Sequence, residues 1–108
     1  MLIIEIAVAG KIKIEKQGSQ GLILKDRGDL DGAMALHKEQ ERICREPGIP
    51  QSLVYSLTNQ AILLNDELDR PREALPLAEE AYQTSKNHNY VNEEEWVKGI
   101  LERIRSRL

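Results

Sequence analysis

His37 and Glu41 bracket the stretch HKEQE, four residues apart. In a helix that spacing puts imidazole and carboxylate on one face, where such a pair can share a proton or a metal ion. The zinc-protease pattern needs a second histidine at that distance, and Glu41 stands there instead. Cys44 is the only cysteine, and His88 is remote, in the loop-forming stretch NHNY. A metal site would have to be completed by carboxylates. The plainer expectation is that His37 is an interhelical residue and Cys44 a small side chain on an apolar helix face. Ser19, Ser52 and Ser56 have no nucleophile elbow or base pattern around them. The glycines at 10, 18, 21, 28 and 32 make neither a P-loop nor a dinucleotide fingerprint. Carboxylates abound, but on helices they read as solvated faces. The expectation is no catalytic residue, no metal and no cofactor, which leaves noncovalent recognition.

Charge narrows the partner. The net charge is −3 and the sequence pI about 5.4. Binding a phosphate backbone needs a clustered positive field, so nucleic acid is not the expected partner. Arg103, Arg105 and Arg107 are basic together, but they fall in the last turn of a helix, where they complement its dipole. The opening MLIIEIAVAG is apolar only as far as Gly10 and contains Glu5. It is too short to span a bilayer and lacks the basic segment of a secretory signal. With a lone cysteine, a reducing, cytoplasmic setting and no membrane are expected.

These side chains are positioned by helices. With 108 residues the chain makes one small domain. Without Phe, its core must come from Leu, Ile, Ala and Val. Leu53, Leu57, Ala61, Leu64 and Leu68 form one stripe, predicting a helix over 51–68 after Pro47, Gly48 and Pro50. The next helix should be capped by Asp69, with Pro71 in its first turn and Ala74, Leu77, Ala78, Ala81 and Tyr82 buried. Pro76, just past that turn, should bend or weaken it. Residues 29–45 read as a helix capped by Asp29 and striped by Leu30, Ala33, Leu36 and Ile43. The stripe is weakened by His37 and Gln40 falling near it, and Pro47 ends the helix. A last helix, 92–108, should start with an Asn92–Glu95 capping box, with Glu93, Glu94 and Glu95 at the positive end of its dipole. Trp96, Ile100, Ile104 and Leu108, with Val97 and Leu101, should turn inward. A helix is expected around 17–26, and 1–16 as helix or irregular structure. β-branching there favours a strand, but nothing in the chain pairs with it.

Two stretches read as copies. QGLIL (20–24) aligns with QAILL (60–64) at an offset of 40, and AMALHKEQ (33–40) with ALPLAEEA (74–81) at an offset of 41. Gln20 meets Gln60, Gly21 meets Ala61, Leu24 meets Leu64, Ala33 meets Ala74 and Leu36 meets Leu77. A period near forty with two helices per unit is the pattern of an α-solenoid.

The stretches QGLILKDRGDLDGAMAL and QAILL…AL resemble tetratricopeptide repeats of the longer kind seen in kinesin light chains and bacterial multi-repeat proteins. The small residue of the first helix is Gly21 or Ala61, followed three positions later by Leu24 or Leu64. The turn glycine is Gly28, and the early alanine of the second helix is Ala33 or Ala74. Proline two residues after that alanine suits the family, as in Ala74-Leu75-Pro76-Leu77. The second copy lacks the turn glycine, having Leu68-Asp69-Arg70, and the late small residue Ala81 is Gln40 in the first copy. The resemblance implies an all-α, TPR-like solenoid. It has an apolar N-terminal segment at 1–16, two helix pairs over 17–91 and a capping helix at 92–108. It also implies that the first helices of each pair line a groove that binds a protein or peptide. In the second copy the groove would carry Tyr55, Thr58, Asn59, Ile62, Asn65 and Asp66. In the first it would carry Glu15, Ser19, Leu22, Lys25 and Asp26. Asn59 falls where the family often holds a peptide backbone by its amide. Lys25 is the only base among these groove residues, so a clamp for peptide carboxylates is not expected.

Helix pairs bury their stripes only by stacking, and about three repeats are usually needed. This chain offers two and a cap, with an apolar N-terminal edge around Ile3, Ile4 and Val8. The alternative expectation is therefore a homo-oligomer joined at that edge without a peptide ligand, or the C-terminal end of a longer repeat protein.

Overall fold

The computed structural model describes residues 29–45 and 48–108. Among these, every regular element is helical, as expected. Helix α1 spans Leu30–Arg45 and α2 spans Pro50–Ile62, the latter running on into a π-helical turn, Leu63–Glu67. Helix α3 spans Pro71–Asn87 and α4 spans Val91–Arg105. Residues 1–16, the helix expected over 17–26, and the repeat positions Gly21, Leu24 and Gly28 lie outside the described residues.

Asp29 starts α1 as the sequence suggests. Its carboxylate accepts the Gly32 N–H at 2.9 Å, and its carbonyl accepts the Ala33 N–H at 3.0 Å. A Cβ on residue 32 would sit 2.5 Å from that carboxylate, so the glycine makes room for the cap. The inward face of α1 differs from the expected stripe. Ala33, His37, Gln40 and Cys44 are buried, while Leu30, Leu36 and Ile43 are only partly covered. The buried face thus holds His37, expected between helices, and Cys44, expected on the apolar face, and it carries the polar Gln40 inward with them.

Pro50 opens α2 at a position where its missing N–H is not needed. The expected helix over 51–68 does not stay α-helical. The Leu68 N–H bonds the Leu63 carbonyl at 3.0 Å, five residues back, which is the π-turn spacing. Asp69 then takes φ +53, the left-handed geometry usually left to glycine. Asp69 therefore does not cap α3. Arg70 is the cap residue, without a side-chain cap, and Pro71 follows in the first turn.

Helix α3 continues through Pro76. The proline removes the bond that residue 76 would give to the Arg72 carbonyl, but Pro76 and Arg72 are exposed, so water can replace it. Ala74, Ala78 and Ala81 have no exposed surface and let α3 lie close to its neighbours. Just past its end, Asn89 is also left-handed at φ +56, and the Tyr90 N–H closes onto the Ser85 carbonyl at 2.9 Å. That turn leads straight into α4. Tyr90, not Asn92, occupies the cap position, and no side chain caps the helix. Glu93 and Glu94 lie in the first turn and Arg103 and Arg105 in the last, matching the dipole. Val97, Ile100, Leu101 and Ile104 face inward, Trp96 is half-buried, and Leu108 is exposed rather than inward.

The apolar core joins α2, α3 and α4. One cluster gathers Ala61, Leu64, Ala74, Ala78, Ile100, Leu101 and Ile104, and a second gathers Val54, Leu57, Ala81 and Val97. Helix α1 packs against α2, α2 against α3, and α3 against α4, and α2 also touches α4 directly.

Candidate interaction face

The α2–α4 seam carries the polar and aromatic side chains with the most chemistry. Tyr55 stands one turn above Gln51 and donates its hydroxyl to the Glu93 carboxylate at 2.9 Å. Gln51 Nε2 donates to the same oxygen at 3.2 Å. The Tyr55 and Trp96 rings lie 5.4 Å apart, centroid to centroid, tilted by 38°. Farther along, Arg103 Nη2 reaches Asp66 Oδ2 at 2.5 Å. Arg107 donates to the Asn65 carbonyl and to Asp69, and to Asn65 Oδ1 at 3.1 Å. Going along α2 from Tyr55 to Asp66, the partners on α4 advance from Glu93 to Arg103, so the two helices run in the same sense.

The spacing of these contacts is regular. Tyr55 and Glu93 are 38 residues apart, Asp66 and Arg103 are 37, Asn65 and Arg107 are 42, and Asp69 and Arg107 are 38. Residues 37 to 42 positions apart therefore meet side by side along the seam.

Electrostatics set the state of the site. Hydrogen bonds hold the Glu93 carboxyl below its usual range, chiefly the one from Tyr55. Burial first, and then the bond to Glu93, push the Tyr55 hydroxyl up. Both groups therefore keep their neutral-pH forms, phenol donating to carboxylate. At the other end of the seam, Asp66 and Asp69 are matched by arginines, and Arg105 lies 3.8 Å from Glu79 of α3.

The expected groove residues separate into two groups. Tyr55, Asn59, Ile62 and Asp66 follow one another along one edge of α2, beside α4. Tyr55 is 40% exposed, Asp66 is exposed, and Asn59 and Ile62 are half-buried. Thr58 and Asn65 are buried instead. Each stands one turn beyond a fully buried residue, Val54 and Ala61, and so follows the buried stripe. The Thr58 hydroxyl donates to the Val54 carbonyl at 2.7 Å, and Asn65 is taken up by Asp66 and Arg107. Ser19 and Lys25, with Glu15, Leu22 and Asp26, lie outside the described residues. Glu93 and Trp96 join the edge from α4. Sequence reasoning placed one at the helix dipole and the other in the core. Their three-residue spacing on a helix was the signal that they share a face.

The residues that suggested chemistry are held in the interior or apart. His37 is fully buried. Cys44 is 1% exposed, and burial pushes its thiol up to about 11, so it stays protonated and unreactive at neutral pH. Among the described residues, no three of His, Cys, Asp and Glu gather as a metal site, and no helix is long and apolar enough to cross a membrane. A separate open groove of about 900 Å³ runs between α1 and α3. Met34, Leu64 and Leu68 are among its apolar lining, and Lys38, Arg42 and Glu73 among its charged lining.

Compared with known proteins, the chain matches no family model, no curated protein and no solved structure.

Proposed function

We propose that this chain is a helical-repeat interaction module of the tetratricopeptide kind. It holds a peptide, or a segment of a partner protein, against the exposed edge where α2 meets α4, and it does no covalent chemistry. The observation that carries this reading is the near-constant 37–42 residue offset of the α2–α4 contacts. It agrees with the 40–41 residue offset of the sequence copies. In this reading α2 and α4 are first helices of successive units, and α1 and α3 are second helices. Stacked first helices form the groove of such repeats. Tyr55, Asn59, Ile62 and Asp66 follow that edge, where Asn59 offers an amide that can both donate and accept. The interior placement of His37 and Cys44 agrees with a role in recognition rather than catalysis.

The test is selection from a displayed peptide library against the full chain. The expected result is a shared motif among the selected peptides. Asn59→Ala and Tyr55→Ala should each weaken binding about fivefold or more, on the scale of one lost hydrogen bond or ring contact, with an unchanged helical circular dichroism signal. Selection of no peptide, or undiminished binding by both variants, would overturn the reading.

A further inference from the structure

We propose that Tyr55, Trp96 and Glu93 form a subsite for one cationic side chain, a lysine or arginine of the bound peptide. The inference rests on the α2–α4 edge being the binding face, and it names the partner's chemistry.

Three observations support it. First, two aromatic rings from different helices stand together at the surface, Tyr55 exposed and Trp96 half-covered, with centroids 5.4 Å apart. Ring faces attract cations through their quadrupole, and Trp and Tyr do so most strongly.

Second, the Glu93 carboxylate beside them is oriented but not neutralised. Its described partners, the Tyr55 hydroxyl and the Gln51 amide, are neutral donors. Other carboxylates that bridge helices differ. Asp66 meets Arg103, Asp69 meets Arg107, and Glu80 meets Arg45. Among the described residues, Glu93 has its geometry fixed across two helices while its charge is left for an outside partner.

Third, the local charge balance favours a cation. The positive end of the α4 dipole amounts to about half a charge. Glu93, Glu94 and Glu95 in sequence outweigh it. The chain as a whole is acidic, at −3, so its field draws a basic peptide in, more strongly at low salt. An acidic or purely apolar peptide would leave the carboxylate facing like charge or stripped of water. A lysine stem or a guanidinium plane lies against the rings while its charge meets Glu93.

The chain contains one tryptophan, so intrinsic emission reports directly on Trp96. The experiment titrates the full chain with short blocked peptides identical except at one residue, which is lysine, arginine, norleucine or glutamate. Spermidine is a separate arm. Lysine and arginine peptides should change the emission saturably, and norleucine and glutamate peptides should bind about tenfold more weakly or not at all. Glu93→Gln should remove most of that preference and flatten its salt dependence. Glu93→Lys should reverse it toward the glutamate peptide. Tyr55→Phe, which keeps a ring but frees Glu93, should lose less. Equal binding of norleucine and lysine peptides would overturn the proposal, as would an unchanged preference in both Glu93 variants. So would spermidine matching the lysine peptide, since the site would then read charge without a peptide. A library-selected peptide without lysine or arginine, lost on Asn59→Ala, would overturn this subsite while leaving the interaction module standing. Absence of any peptide binding would remove both.

Discussion

Asp69 holds a backbone conformation usually left to glycine, at φ +53, and its carboxylate is held by Arg107. Asp tolerates the left-handed region far better than a branched side chain does. Asp69→Val should therefore lower stability by about 1–2 kcal/mol, whereas Asp69→Gly should stay within about 0.5 kcal/mol of the parent. Urea unfolding of the three proteins checks this. Glu93 supplies a pH prediction. Its folded carboxyl titrates below its unfolded value of about 4.3. The Tyr55–Glu93 contact is thus fully stabilising above that pH and is lost as the pH falls through the lower folded value. Melting curves between neutral and acid pH should show Glu93→Gln closing its gap to the parent as the medium becomes more acid. Much of the candidate edge was legible, because Tyr55, Asn59, Ile62 and Asp66 share one side of a regular helix. Thr58 and Asn65 were misread because they adjoin both that edge and the buried stripe. Glu93 was hidden because an acidic residue in a first turn already has a sufficient local explanation.

Helix existence was easier to read than helix ends. The apolar stripe of α2 and the alanines of α3 are periodic, and they appear where periodicity places them. The ends depend on backbone geometry that residue type specifies weakly. The π turn at Leu63–Glu67 and the left-handed Asp69 moved the start of α3 off its expected cap, and the left-handed Asn89 did the same for α4. In α1, His37 and Cys44 take the interior places expected of them, but Leu30, Leu36 and Ile43 are only partly covered and the polar Gln40 is buried, which hydropathy does not indicate. Pro76 is the testable oddity at this scale. It sits inside α3 and faces solvent, so nothing described depends on its ring being there. Pro76→Ala should stabilise the protein by about 1–3 kcal/mol, because it restores one helical bond and removes the clash with the preceding turn. A thermal melt with no gain would contradict this account of the proline.

Across the molecule, α2 and α4 run side by side with contacts 37 to 42 residues apart, and under the proposed reading they are the first helices of two stacked units that hide each other's apolar faces. The edge between α2 and α4 then gathers an amide, two aromatic rings and a carboxylate from distant parts of the chain. The open groove between α1 and α3 is the natural competitor as a binding surface, and the two can be told apart. Amide chemical shifts of the full chain, titrated with a library-selected peptide, test the account most directly. The account predicts perturbations concentrated at Tyr55, Asn59, Ile62 and Asp66 along α2 and its π turn and at Glu93 and Trp96 on α4. Perturbations confined instead to Met34, Lys38, Leu68 and Glu73 around the other groove would contradict it.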